Sequence, residues 1–215
     1  MASNDFTGTA STQISTYDAT WVSCAVSGHD GSTDLNLDGS GNLRTGSFKY
    51  SDAVRTDGDQ NSKSRIVVAA GNYAPGSCEI RAAVRRTTTT DGYSVRLRSS
   101  TNLASNIDSL YVYRQNVFMS GLSITPIDNT STALDFQVVV TNTVDVQCII
   151  NGQTVTATGS GGNDASGAAV LTGGNPGLSI LLNSSTLTFG LIDSWTDDAA
   201  GGSSAPRTLT LLGVG

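Results

Sequence analysis

Four arginines stand where two strands could hold them on one face. In Cys78–Val84 the residues Cys78, Ile80, Ala82 and Val84 share one parity, while Glu79, Arg81 and then Arg85 share the other. Gly92–Arg98 repeats the pattern, with Tyr93, Val95 and Leu97 set against Ser94, Arg96 and Arg98. If the two stretches pair through the turn Thr87–Gly92, Arg81, Arg85, Arg96 and Arg98 form a basic patch facing outward on an acidic chain. Guanidinium groups suit bidentate contact with carboxylate or phosphate, as on acidic glycans or the acidic rim of a partner. A solvated sheet face laced with cross-strand salt bridges is the competing reading. Tyr111, Tyr113 and Trp195 offer rings for stacking on sugars, against core or interface packing.

A second constellation is Asp34, Asn36, Asp38 and Gly39, the first half of a calcium loop in which alternate oxygens wrap a hard cation. Calcium is therefore the expected metal if this stretch holds one. The bidentate Glu of such loops is missing, since Thr45 occupies the twelfth position. Leu35 and Leu37 also permit a plain strand with its polar residues turned outward.

Catalytic constellations are scarce. Glycoside hydrolysis needs two carboxylates about 5–9 Å apart across the scissile bond, and Glu79 is the only glutamate of the chain. The pairs Asp57/Asp59 and Asp197/Asp198 sit in polar stretches with no apolar wall to raise one pKa. His29 is the only histidine and has no nucleophile-elbow motif to serve. Gly159–Gly162 lacks the lysine of a phosphate-binding loop. A non-enzymatic protein is expected.

The elements that position these residues are strands. Leu134–Val140 and Val144–Ile150 alternate as Cys78–Val84 does, and Asn151-Gly152 between strand-like runs is the preferred pair for a two-residue type I′ hairpin. Further strands are expected near Trp21–Val26, Arg65–Ala70, Leu110–Tyr113, Leu178–Leu182, Leu187–Ile192 and Thr208–Leu212. With no clear helix, this predicts an all-β, antiparallel two-sheet jelly-roll sandwich. Thr172–Gly177, rich in glycine with Pro176, reads as the reversal that feeds the last strand pair. Thr158–Gly167 reads as a long loop inside the same domain.

The 215 residues suffice for one large all-β domain. A formal charge of −6 argues against a nucleic-acid partner recognised through a basic surface. No stretch approaches the roughly 20 apolar residues of a membrane span, so no membrane partner is expected. Cys24, Cys78 and Cys148 fall in strand-like stretches at spacings unlike a zinc motif; buried free thiols are expected, with one disulfide as the alternative. No apolar segment follows the first residues, so no signal peptide is expected. A chain made in a host cytoplasm with the composition of an exposed β protein fits assembly into a particle.

These residues carry a resemblance. Asp5-Phe6 with Trp21 downstream, Ile80–Leu97 with its apolar-arginine strand and Gly-Tyr turn, Ile150-Asn151-Gly152, Thr172–Leu178 and the closing Leu191–Trp195 occur in order over about residues 5–198. On them the chain resembles the concanavalin A-like lectin/glucanase superfamily, in its laminin-G-like branch. The resemblance implies a curved sandwich whose concave face often carries the binding site, as in lectins, glycosidases, adhesins and bacteriophage surface proteins. The paired glutamates of the family's glucanases are absent, and so is its closing Asp-Phe pair. The expectation is a jelly-roll domain over 1–198, with a linker and C-terminal strand or arm over 199–215. Its expected role is that of a non-enzymatic protein of the bacteriophage virion surface, such as a head decoration, fibre or tail-associated component. Its partners would be capsid or tail proteins and host-surface glycans, and it would be a homo-oligomer or present in many copies on the particle. The alternative is a free-standing carbohydrate-binding lectin or adhesin module, assisted by calcium.

Overall fold

Alternating apolar and polar residues become strands through most of the chain. The computed structural model describes residues 3–25, 35–45, 51–56, 63–74, 78–99, 106–140, 144–182 and 191–197. In chain order these form β1 (Ser3–Asn4), a single helical turn α1 (Ile14–Tyr17), β2 (Trp21–Ser23), β3 (Leu35–Leu37), β4 (Leu43–Thr45) and β5 (Ser51–Arg55). Then come β6 (Lys63–Val68), β7 (Cys78–Arg86), β8 (Tyr93–Arg98), β9 (Asn106–Arg114) and β10 (Val117–Asp128). The series ends with β11 (Leu134–Val139), β12 (Val146–Ile150), β13 (Gln153–Ala157), β14 (Asn175–Leu182) and β15 (Ser194–Thr196). The expected strand Thr208–Leu212, the arm 199–215 and most of Leu187–Ile192 lie outside the described residues.

Two antiparallel sheets make the sandwich. One has six strands in the order β1-β15-β6-β11-β12-β13, the other seven in the order β10-β9-β8-β7-β14-β5-β2, and β3-β4 is a separate hairpin. Ile80, Val95, Val112 and Leu178 of the larger sheet meet Ile66, Phe136, Cys148 and Ile150 of the smaller in one buried cluster. This is the layered solution to burying one apolar face per sheet.

Two tryptophans join the sheets at one end. Trp21 of β2 and Trp195 of β15 meet edge to face, with centroids 4.8 Å apart at 74°. The Arg55 guanidinium lies 5.7 Å from one ring and 5.5 Å from the other. Asn4 accepts from Trp21 Nε1 at 2.8 Å, and Asp18 pairs with Arg55 at 3.2 Å. Trp195 is 1% exposed, so this ring is core and offers no platform to a sugar.

The expected hairpin forms at Asn151-Gly152, with φ of 46° and 79°. Asn151 braces it, accepting from Asp135 N at 2.7 Å and donating to Ala133 O at 2.9 Å. A second reversal of the same hand, Gln115-Asn116 with φ of 48° and 66°, joins β9 to β10. β10 is an edge strand, and the Gln153 side-chain amide ties it to β13 of the other sheet through two bonds to Thr125, of 2.7 and 3.0 Å.

Thr172–Gly177 does feed a strand, and β14 is central rather than peripheral, lying between β7 and β5. Pro176 is tolerated there because it sits at a register shift, where β14 is not laddered to β7. The Thr158–Gly167 stretch is an ordered loop pinned at Asp164. That carboxylate accepts from Tyr93 Oη at 2.7 Å, Arg114 Nε at 2.8 Å and Ser166 N at 2.9 Å. All three cysteines are buried, and none forms a disulfide.

Candidate functional site

The face of the seven-stranded sheet turned away from the core carries the chemistry. Strand parity places Glu79, Arg81 and Ala83 of β7 there, since Cys78, Ile80, Ala82 and Val84 enter the core. Ser94, Arg96 and Arg98 of β8 and Tyr111 and Tyr113 of β9 follow by register: Arg81 opposes Arg96, Arg96 opposes Tyr111, and Ser94 opposes Tyr113.

Arg85 departs from that pattern because β7 bulges. Asn175 of β14 pairs with Arg86 and Gly177 with Ala83, so one residue of β14 faces two of β7. Arg85 is the residue with φ of 54°, and the extra position shifts the phase of the strand end. Arg86 therefore takes the place on the outer face that alternation assigns to Arg85. Arg85 instead donates to Leu171 O and is 8% exposed. The expected four-arginine exposed patch is thus corrected twice, since Arg81 is itself 3% exposed.

A chain of opposite charges runs across this face. Glu79 Oε1 takes Arg81 Nε at 2.6 Å and Oε2 takes Arg96 Nη1 at 2.7 Å. Arg81 also pairs with Asp91 at 3.5 Å. Asp91 in turn accepts from Arg86, whose guanidinium also reaches Asp52 at 3.0 Å, Leu178 O at 2.7 Å and Ser179 Oγ at 2.7 Å. Arg86, Asp91 and Asp52 are all essentially inaccessible. Buried charges persist only when paired and hydrogen-bonded, and each of these is. Both oxygens of Glu79 hold a guanidinium, and Asp91 divides its own between Arg86, Ser94 and Arg81. Neither carboxylate is set out as half of an acid-base pair across a sugar linkage.

Beside the ion pairs lies an aromatic shelf. Phe118 of β10 is 54% exposed and meets Tyr111 at 5.3 Å and Tyr113 at 6.1 Å, edge to face in both cases. Arg81 covers Tyr113 at 4.3 Å and Arg98 lies over Tyr111 at 5.2 Å. The two tyrosines are half-buried, and neither hydroxyl makes a hydrogen bond among the described residues. Gly121 of β10 opposes Tyr111, and the space a side chain would fill there borders the Tyr111 and Phe118 rings. An exposed ring, two uncommitted hydroxyls and guanidiniums within one patch give the contacts a saccharide uses: apolar stacking and directional hydrogen bonds.

The suggested calcium loop folds as a hairpin turn. Leu35 and Leu37 are buried, and Asn36 opposes Arg44 across β3-β4. Asp38 accepts from Ser40 N at 2.7 Å, Asn42 N at 3.0 Å and Asn42 Nδ2 at 2.8 Å. Burial raises the pKa of its carboxyl, and those bonds outweigh burial and lower it. Asn36 thus follows the strand reading, and Asp38 holds the turn after it. Asp34 lies outside the described residues, as do His29, Asp57, Asp59 and Asp198. Among the described residues no three of His, Cys, Asp and Glu gather as a metal site.

Sequence reasoning set Arg81, Arg96 and Arg98 on one face and named Tyr111 and Tyr113 without placing them; the strand registers bring all five to the same face. It missed Phe118, because β10 was not read as a strand, and Arg86 and Asp91, because the bulge has no local signature. A separate cavity of about 490 Å³ opens by the six-stranded sheet, among Asn4, Asp5, Tyr17, Arg65, Trp195 and Thr196. Of the expected binding residues only Trp195 borders it, and that ring is buried.

Two packed antiparallel sheets in this order define a concanavalin A-like lectin/glucanase jelly roll. Solved structures bear this out: the laminarinase of Rhodothermus marinus superposes with a TM-score of 0.60 over 92% of this chain and 95% of its own, at 10% identity. The β-glucanase of Bacillus licheniformis gives 0.56 over 93% and 98%, also at 10% identity. An endo-acting O-glycanase of the human gut microbiota gives 0.59 over 93% and 99%, at 11% identity. At such identities the likeness is one of fold. No protein-family model and no curated protein sequence matches the chain.

Proposed function

We propose that this chain is a non-catalytic carbohydrate-binding module that uses the outer face of its seven-stranded sheet. The observation that carries the reading is Phe118, an exposed phenyl ring held edge-on by Tyr111 and Tyr113 beside guanidinium groups. An isolated exposed ring on a monomer is unremarkable, whereas a ring braced by two others on a sheet face is a preorganised contact. Fold neighbours named for acting on polysaccharides support the ligand class by analogy. The commitment of Glu79 and Asp91 to arginines supports binding over hydrolysis.

The virion-surface role rests on composition and the family resemblance, with no feature of this face that favours capsid or tail neighbours over a glycan, and the lectin reading is preferred for that reason. Affinity electrophoresis through gels containing single polysaccharides tests it. The native chain is expected to be retarded by at least one polymer, and Phe118→Ala to migrate freely in the same gel. Free migration of the native chain through a broad panel of acidic and neutral polymers contradicts the proposal. So does steady cleavage of any of them.

A further inference from the structure

We infer that the glycan bound on this face is acidic, bearing uronate carboxylates or sulfate esters, and that Arg98 selects for it. This rests on the carbohydrate reading above and narrows its ligand class. Along the outer face Arg86 has Asp52 and Asp91, Arg81 has Glu79 and Asp91, and Arg96 has Glu79. Arg98 ends the row with no acidic partner among the described residues. Its guanidinium rests 5.2 Å from the centroid of the Tyr111 ring, which supplies only quadrupole attraction.

The side chain is half-buried, so part of its hydration is already lost, and its buried Nε has no acceptor. Arg96 Nε, one register step away on the same strand, is likewise buried without an acceptor. Both Nε atoms are closed to solvent, so a ligand meets the terminal nitrogens of Arg98, and an unneutralised guanidinium there fits an oxyanion better than a neutral hydroxyl. Tyr111 touches both Arg98 and Phe118, so the anionic contact and the stacking contact adjoin. A formal charge of −6 over the whole chain discourages polyanions that would spread over its surface, and favours one that presents charge to this row alone.

The test compares retention on polygalacturonate, which carries carboxylates, heparin, which carries sulfates, and a neutral β-glucan, with polyglutamate as a polyanion that is not a sugar. The native chain is expected to bind at least one acidic polysaccharide, more weakly as salt is added, and to ignore the β-glucan and polyglutamate. Which acidic polymer binds distinguishes carboxylate from sulfate. Arg98→Gln is expected to weaken that binding about tenfold while Arg98→Lys retains part of it. Equal binding of the neutral polymer overturns this inference and leaves the carbohydrate reading standing; binding of none overturns both. Binding of polyglutamate equal to that of the sugars, or an Arg98→Gln protein that folds and binds as the native chain does, also overturns it. The neutral-against-acidic comparison and the salt series use the native chain, so they decide the matter even if the variants do not fold.

Discussion

Arg81 and Arg96 face each other as register partners across β7 and β8, and the sole glutamate of the chain joins them. Like charges directly opposed on one sheet face destabilise it. Glu79 stands two residues before Arg81 on the same face and gives one oxygen to each guanidinium. The arginine row of this face is therefore anchored by its acid, and the anchor and the proposed binding residues belong to one assembly.

Replacing Glu79 with Gln leaves two guanidiniums opposed and half-compensated in a largely buried site. A loss of about 3 kcal/mol is expected, as for other buried pairs that lose one partner. Urea unfolding checks it: the midpoint falls for Glu79→Gln, and an unchanged midpoint contradicts the bridging role.

Gly174→Ala is expected to be among the most damaging single changes in the turn before β14. Its φ is 88°, and a Cβ there would stand 2.5 Å from the Arg85 carbonyl group, in the bulge itself. Strain and clash together are expected to cost at least about 2 kcal/mol. A melting temperature equal to that of the native chain would show that the bulge can relax.

The thiols are expected to be inert in the folded chain. Burial pushes the Cys24 thiol up to about 11 and the Cys148 thiol higher still. Since the thiolate is the reactive form, a thiol-labelling reagent at mildly alkaline pH should modify none of the three in buffer and all three in denaturant. Labelling of the native protein at any stoichiometric level would contradict it.

Asp164 is expected to make the loop it pins acid-sensitive. Burial raises the pKa of its carboxyl, but bonds from Ser166, Tyr93 and Arg114 outweigh that and hold it below the ordinary value. With the folded value below the unfolded one, the stabilisation is complete above about pH 4 and lost as pH falls through the folded value. Asp164→Asn should be less stable than the native chain at neutral pH, and the gap should narrow in acid. A gap independent of pH would remove Asp164 from the acid response.

How much was legible follows from what each signal depends on. Parity along a strand is local, so Cys78–Val84, Gly92–Arg98 and Leu134–Val140 announced their core faces, and Asn151-Gly152 announced its turn. Arg85 and Arg86 could not be told apart, because the bulge depends on how β14 meets β7 and leaves no mark in Val84-Arg85-Arg86 itself. β10 was hidden for another reason. Its run from Val117 to Asp128 contains Gly121 and Pro126, and Gln115-Asn116 is not the usual pair for a tight hairpin, so the edge strand that brings Phe118 to the tyrosines had no sequence signature.

The central claim is that the Phe118 shelf binds carbohydrate. A glycan array probed with the native chain and with Phe118→Ala tests it most directly. Phe118 is already 54% exposed, so its removal should leave thermal unfolding nearly unchanged while binding falls about tenfold, in line with the loss of one stacking contact. A native chain that binds no glycan, or a Phe118→Ala chain that binds the same glycans equally well, would contradict the account.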